Sequence, residues 1–153
     1  MPNTHPDFTV DEPEDSPGFL LWQVTTLWQR GIRKELEAIG ITHPQFVLLA
    51  SLLWLSREKD SVMQIDLSQH SKIDPMTTST VIRTLQRKKL VERKEHATDT
   101  RAKVVTLTAE GARITRKAVK IIERFDTGFF HSLDNQLGGF TSALQVLRNS
   151  EIS

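Results

Sequence analysis

The sequence predicts a mainly α-helical fold that carries one small β-hairpin. After residue 18, apolar residues recur at steps of three and four over most of the chain, which is the period of amphipathic helices. Segments 90–93 and 103–107 instead alternate with the period of two that is typical of strands. Two short helices joined by a tight turn come just before these strands, and this order predicts a winged helix-turn-helix.

The N-terminal 17 residues differ from the rest of the chain. They contain five acidic residues, no Lys or Arg, and four of the six prolines. Such a segment buries too little apolar surface to offset the entropy lost on ordering, so we expect a disordered acidic tail at 1–17. Residues 18–153 are then enough for a single domain with its own core.

The first two helices have clear ends. Residues 18–40 form one amphipathic helix with Gly40 as its stop. Thr42 and Gln45 have the spacing of a capping box, and Pro44 suits the first turn of the next helix. That helix, 44–57, is apolar nearly all round and should be buried.

The next two helices predict the helix-turn-helix. A short helix at 61–70 should direct Ile65 and Leu67 inward, and 71–73 is the turn. Asp74 is a strong N-cap, and Pro75 suits the first position of a helix that runs to Lys88. We expect its inward face to comprise Thr78, Val81, Ile82 and Leu85.

The hairpin and two further helices complete the chain. Residues 95–100 are polar and predict the hairpin loop. Thr108 then caps a long helix, and a last helix at 132–147 is weakened by Gly138 and Gly139.

Composition excludes several classes of function. The chain has 153 residues, a net charge of +1, and no cysteine, which removes disulfides, thiol nucleophiles and thiolate metal sites. The five histidines lack ligand spacing, and no phosphate loop or nucleophile elbow is present. We therefore expect no metal, no cofactor and no enzymatic activity. No apolar run could span a membrane and no signal peptide is evident, so we expect a cytoplasmic protein.

A basic block lies inside this nearly neutral chain. Residues 83–103 contain eight Lys or Arg against three acidic residues. Such a block is typical of a surface that binds nucleic-acid phosphates, although a merely solvated charged face has the same composition.

The helix 74–88 has an outward face suited to double-stranded DNA. Hydroxyl groups donate and accept hydrogen bonds, Arg83 can pair with guanine, and Met76 can contact a thymine methyl. Arg87, near the helix end, is better placed for phosphate. The alternative is a soluble surface without a ligand. The candidate DNA-binding residues of this helix are Met76, Thr77, Ser79, Thr80, Arg83, Thr84 and Arg87.

The hairpin adds further candidates for DNA binding, namely Arg93, Lys94, Arg101 and Lys103. An arginine at a hairpin tip can enter the adjacent minor groove, where narrow DNA concentrates negative potential. Asp99 can position the Arg101 guanidinium through a charge-assisted hydrogen bond. The alternative is a weak surface ion pair.

Five motifs in this region resemble the DNA-binding core of the MarR family of winged-helix regulators. They are Gln-Ile-Asp-Leu at 64–67, Asp-Pro-Met-Thr at 74–77, residues 84–93, Asp-Thr-Arg at 99–101 and Leu-Thr-Ala-Glu-Gly at 107–111. A weaker resemblance covers about 18–148. The resemblance to this family implies a DNA-binding core at 44–107 and a homodimer formed by helices at 18–40 and 108–148. It also implies a pseudo-palindromic operator, with Arg101 as the wing arginine and Asp99 as its partner.

The chain departs from the family pattern at three positions. Thr80 stands where the family often has Arg, and Arg83 where it often has an acid, so we expect a base preference of its own. Lys89 stands where the family usually has Gly. If the left-handed turn persists there, its cost is on the order of 1 kcal/mol.

The resemblance also implies a small aromatic effector, bound between the DNA-binding and dimerisation helices. The candidate pocket residues are Trp22, Trp28, His43, Trp54 and Phe125. The alternative is that these aromatic side chains are ordinary core residues.

These features favour a sequence-specific DNA-binding transcriptional regulator, with repression as the expected outcome. A winged-helix module that binds protein remains an alternative, and it would display apolar residues on the outward helix face. An enzyme whose carboxylates meet only in the folded chain is the third hypothesis.

Overall fold

The computed structural model describes residues 7–99 and 101–150. It confirms the predicted fold class, six α-helices with one antiparallel hairpin. In chain order the elements are α1 (Pro17–Glu37), α2 (His43–Leu55), α3 (Gln64–Ser71), α4 (Pro75–Arg87), β1 (Val91–Glu95), β2 (Lys103–Leu107), α5 (Ala109–Phe129) and α6 (Leu137–Arg148). Short 3-10 helices cover Pro13–Asp15 and His131–Gln136.

Side-chain caps fix the beginnings of three helices, as predicted. The Thr42 hydroxyl accepts from the Gln45 N–H at 3.3 Å, and the Gln45 side-chain oxygen accepts from the Thr42 N–H at 3.0 Å. Asp74 accepts from the Thr77 N–H at 2.9 Å, and Thr108 accepts from the Gly111 N–H at 2.9 Å. Each bond satisfies a backbone donor that the helix itself leaves unpaired.

The end of α4 is a tight left-handed turn at Lys89, where φ is 64°. The Lys89 N–H donates to the Gln86 carbonyl at 2.9 Å, and the Leu90 N–H donates to the Leu85 carbonyl at 3.0 Å. This pair of bonds is a Schellman motif, with Leu85 and Leu90 both buried beside it. The left-handed turn of the family therefore persists at Lys89, although lysine replaces glycine there.

The hairpin pairs Val91 with Leu107 and Arg93 with Val105. Its second strand is also bound on the other edge, because the Val105 N–H donates to the Val62 carbonyl at 2.9 Å. β1 continues two residues beyond its predicted end, so the loop begins at His96.

The core joins the C-terminal half of α1 to the winged helix-turn-helix. Ile32 and Leu36 of α1 are fully buried, whereas the N-terminal half of the same helix is exposed. The other buried apolar side chains include Leu48, Leu49, Leu52, Leu67, Ile82, Leu85, Val91, Val105, Ala118 and Ile122.

Two predictions are wrong in detail. Ile65 is 47% exposed while Leu67 is buried, because residues two apart on a helix lie about 200° apart and cannot share a face. The predicted last helix is divided into the 3-10 segment His131–Gln136, which is kinked at Asp134 with φ 49°, and α6.

The chain before α1 is described only from residue 7. Residues 7–16 form turns and the first 3-10 helix, and the Ser16 hydroxyl caps α1 by accepting from the Phe19 N–H at 3.2 Å. Residues 1–6 of the predicted tail lie outside the described residues, as do 151–153 of the predicted domain. Disorder of the tail and the boundary at 18 stay predictions. No helix in the described ranges is both long and apolar enough to cross a membrane.

Candidate nucleic-acid interface

Helix α4 has one buried face and one open face. Thr78, Ile82 and Leu85 recur at steps of four and three and are fully buried. Among the predicted DNA-binding residues of α4, Ser79 and Thr84 are half-buried and the rest are exposed: Met76, Thr77, Thr80, Arg83 and Arg87. Met76 is 79% exposed. The open face is therefore polar and cationic with one apolar side chain near its N-terminus.

The two arginines of this face are held by neutral groups of the same helix. The Arg83 guanidinium donates to the Ser79 hydroxyl at 3.1 Å and to the Ser79 carbonyl at 3.3 Å. Arg87 donates to the Thr84 hydroxyl at 3.0 Å. Within residues 7–99 and 101–150, neither arginine forms an ion pair. Both charges are thus available to an anion once these weak local bonds are exchanged.

The N-terminus of α4 is rigidly placed. Hydrogen bonds from the Thr77 N–H and hydroxyl to the Asp74 carboxyl lower its pKa, so the cap stays ionised near neutral pH. The Ser68 hydroxyl of α3 donates to the Ile73 carbonyl at 2.6 Å, which ties the turn to the preceding helix.

The hairpin loop presents Arg101 to solvent, with 94% of its side chain exposed. Asp99 accepts from the Arg101 N–H at 3.1 Å, and its carboxylate lies 3.7 Å from the guanidinium Nε. The His96 Nδ1 accepts from the Thr98 and Asp99 N–H groups at 3.3 Å each. Asp99 therefore shapes the loop backbone more than it restrains the guanidinium, because an ion pair this exposed is weak. Thr100 of the family motif lies outside the described residues.

The loop and the start of α4 lie on the same side of the molecule. Pro75, Asp99 and Arg101 line one open cleft of about 310 Å³, together with residues of α3. Lys94 is also outward, with its ammonium 3.7 Å from Glu92. The hairpin loop and the first residue of α4 therefore border the same cleft.

Arg93 and Lys103 are only partly exposed, although Lys103 also lines the cleft beside Pro75 and Arg101, and their assignment to DNA binding stays a prediction. Period-two alternation places both on the hairpin face that also carries buried Val91 and Val105. Lys103 pairs with Glu95 at 3.3 Å. The Arg93 Nη1 is buried and has no hydrogen-bond partner in the described part of the chain.

A separate cleft of about 820 Å³ opens between α1, α2 and the helix-turn-helix. Trp28 and His43 line it, with ring centroids 5.1 Å apart in an edge-to-face arrangement. The Trp28 indole N–H donates to the Asp126 carboxylate of α5 at 2.8 Å. Arg33 and Glu37 of α1 add a cation and an anion to its lining. Hydrophobic periodicity gives no indication of Arg33 of α1 or Asp126 of α5 as site residues, because it marks apolar positions and both residues are polar.

The other three predicted pocket residues lie elsewhere. Trp22 is 70% exposed on the N-terminal half of α1, and Trp54 is 54% exposed beside Arg57. Phe125 packs against Gly31 and lines a different hollow near α5. Aromatic character alone does not identify the residues that line one pocket, because each helix directs its aromatic rings toward different neighbours.

Burial lowers the pKa of His43, and the nearby Asp126 carboxylate opposes that shift. His43 is thereby kept neutral at physiological pH, and it offers the cleft an uncharged ring. Within the ranges that the structure describes, no cluster of three or more His, Asp or Glu could hold a metal ion.

Two helices carry apolar side chains that the single chain leaves exposed. On the N-terminal half of α1 they are Phe19, Leu20, Leu21, Trp22, Val24 and Leu27. On α6 they are Leu137, Leu144, Val146 and Leu147. Contiguous exposed apolar residues are typical of interaction surfaces.

Comparison with known proteins agrees with this geometry. Residues 37–124 match the family model of the ArnR1-like winged-helix domain. An uncharacterized HTH-type transcriptional regulator of Bacillus subtilis, YdcH, is 38% identical over 139 residues, which is 91% of this chain and 94% of that protein.

Two solved structures share the fold. BpsR of Bordetella bronchiseptica, whose DNA binding is regulated by 6-hydroxynicotinic acid, gives a TM-score of 0.81 at 22% identity, covering 90% of this chain and 96% of that one. A mutant MarR of Escherichia coli in complex with operator DNA gives a TM-score of 0.77 at 22% identity, covering 88% and 95%.

Proposed function

Because the chain belongs to the MarR family of winged-helix transcriptional regulators, we propose that it represses transcription as a homodimer on a two-fold operator. The chain is a DNA-binding regulator and not an enzyme. The observation that carries the proposal is the open face of α4, where hydroxyls and two arginines lie opposite a fully buried face. Among the described residues, neither arginine has a carboxylate partner. A bound dimer covering a promoter would exclude polymerase. Since the chromosome is the target, we place the protein in the cytoplasm.

The open face of α4 would read bases in the major groove. A helix fits this groove, and a guanidinium can donate two hydrogen bonds to guanine. Arg83 lies near the middle of α4, and within the described residues its side chain bonds only to Ser79. We therefore assign it the main base contact. Met76, at the N-terminal end, would contact a thymine methyl, and Arg87 at the other end would contact phosphate.

The loop of the hairpin would bind the flanking minor groove. Arg101 is almost fully exposed, and it shares a cleft with the start of α4. A duplex seated on α4 therefore passes close to this guanidinium, and narrow minor grooves attract such a charge. Lys94 would add a phosphate contact.

The exposed apolar residues of α1 and α6 would be covered by a second copy of the chain. Both helices belong to the part of the fold outside the winged helix-turn-helix. Burial of apolar surface is the main driving force for such association, and a two-fold dimer presents two copies of α4 about one helical turn of DNA apart.

The cleft beside Trp28 and His43 would bind a small aromatic acid. Two rings supply flat apolar walls, and Arg33 supplies the charge that a carboxylate requires. The regulation of BpsR by 6-hydroxynicotinic acid supports an effector of this chemical class.

The test begins with selection of bound genomic fragments by the purified protein. We expect a two-fold sequence, a complex with two chains of 17.4 kDa, and affinity that falls steeply between about 50 and 200 mM salt. Affinity for DNA that is insensitive to salt would contradict the proposal and favour a protein-binding module.

The effector is tested with benzoate, salicylate and nicotinate. One of these acids should weaken operator binding by wild-type protein and by a Trp54→Leu control, because Trp54 lies outside the cleft. A Trp28→Leu variant should lose the response. Equal responses of the two variants would exclude this cleft as the effector site.

A further inference from the structure

Lys88 belongs to the basic block, yet its side chain turns away from the open face of α4. Its ammonium donates to the Gly40 carbonyl at 2.7 Å and to the Gln45 side-chain oxygen at 3.1 Å. Gly40 lies in the connection between α1 and α2, and Gln45 lies in the first turn of α2; we call residues 38–45 the α1–α2 corner. Lys88 therefore joins the C-terminal end of α4 to a distant part of the chain.

The acceptors in this corner are themselves firmly held. Gln45 is buried, and its side-chain oxygen also completes the α2 capping box by accepting from the Thr42 N–H at 3.0 Å. Gly40 ends the α1 turn with φ 73°, and its N–H donates to the Glu37 carbonyl at 3.2 Å. Hydrogen bonds from a charged donor to fixed acceptors are stronger and more directional than neutral ones. The ammonium thus has a defined position in the free protein.

We propose that Lys88 is a positioning residue that sets the orientation of α4 for operator recognition, and that it is not a phosphate ligand. Asp74 and Ser68 already fix the start of α4, and Lys88 fixes its end against the α1–α2 corner. With both ends held, Arg83 in the middle reaches the groove at a constant angle. The proposal rests on the proposed insertion of α4 into the major groove.

Salt dependence separates the two roles of a lysine. A phosphate ligand releases a counterion, so its removal lowers affinity for every duplex and reduces the salt slope by about one unit. A positioning residue acts through base contacts, so its removal lowers affinity for the operator alone. The matched pair is Lys88→Met and Lys94→Met, since Lys94 is an exposed lysine of the hairpin.

The experiment measures affinity for the selected operator and for an unrelated duplex of equal length, each between about 50 and 200 mM salt. For Lys88→Met we expect roughly tenfold weaker operator binding, the magnitude of one lost base contact, with unrelated-duplex affinity and salt slope unchanged. Lys94→Met should weaken both duplexes equally and reduce the slope. Lys88→Arg, which keeps a charged donor, should recover part of the operator affinity.

A double variant tests the contact itself. Because both substitutions break the same bond, Gln45→Leu combined with Lys88→Met should lose less operator affinity than the two single losses added. Strict additivity would overturn the proposal. So would a reduced salt slope for Lys88→Met, or operator binding equal to wild type. A wild-type protein without sequence preference would instead overturn the proposed function.

Discussion

The backbone of Gly111 lies so close to Leu90 that a Cβ at position 111 would overlap the Leu90 carbonyl oxygen. The same carbonyl accepts from the Thr108 N–H at 3.1 Å, and the Leu90 N–H closes the end of α4. Gly111 therefore lets the first turn of α5 sit directly on the connection between α4 and the hairpin. The helix that leads away from the DNA-binding core is anchored at this contact.

We expect Gly111→Ala to destabilise the fold by about 2 kcal/mol or more, because the overlapping atom is backbone and the added methyl forces a shift. Gly128→Ala is the matched control in the same helix, since a Cβ there meets nothing within 4 Å. It should stabilise by up to about 1 kcal/mol through helix propensity. Urea unfolding followed by circular dichroism compares the two, and equal stabilities would contradict the assigned contact.

Lys89→Gly should stabilise the protein by about 1 kcal/mol, since the left-handed φ of 64° strains a side chain with a Cβ and suits glycine. Lys117→Gly provides the opposite case, an exposed lysine inside α5 with ordinary helical geometry. The Lys117→Gly substitution should lower the free energy of unfolding by about 1 kcal/mol. Thermal unfolding temperatures of the two variants should therefore move in opposite directions, and a shared direction would argue against strain at Lys89.

The features of the fold that could be predicted from the sequence are those formed by residues close together in the chain. The caps at Thr42, Asp74 and Thr108 depend on residues three positions away, so a short window contains both partners. The family resemblance raises the left-handed turn at Lys89 only as a condition, because a lysine gives no local indication of positive φ.

The candidate site was predictable only where a residue's own helix determines its exposure. Periodicity placed Arg83 and Met76 outward on α4, as the structure does. The inward position of Arg93 follows from strand register, and the contacts of Lys88 cross more than 40 residues of sequence. Such placements depend on how distant elements pack, which no window of sequence contains.

Arg83→Ala should reduce discrimination at one operator position by roughly tenfold or more, the value of a guanine pair, while leaving binding to unrelated DNA nearly intact. Arg101→Ala should instead weaken binding to many sequences, because its contact reads groove width and potential. An operator substitution series, measured with both variants, distinguishes the two effects. If the series is unchanged in Arg83→Ala, the assigned base contact is wrong.

The stability of the protein should fall as pH is lowered from about 7.5 toward 5, in part because of His43. Burial lowers its pKa in the folded chain below the ordinary value of 6.5 that it regains on unfolding. Between these two values the unfolded state binds more protons, so acidification favours unfolding. The contribution of His43 is complete above the unfolded pKa and is lost as pH falls toward the folded one.

Urea unfolding at a series of pH values, with His43→Gln against an His131→Gln control, isolates this contribution. His131 is exposed and lies outside the cleft, so its replacement is the control for the loss of one histidine. His43→Gln removes the titrating ring from the cleft, and its stability should fall less steeply below pH 6.5 than that of wild type. If all three proteins lose stability in parallel, His43 does not carry the effect, and the carboxylates that also titrate toward low pH must account for it.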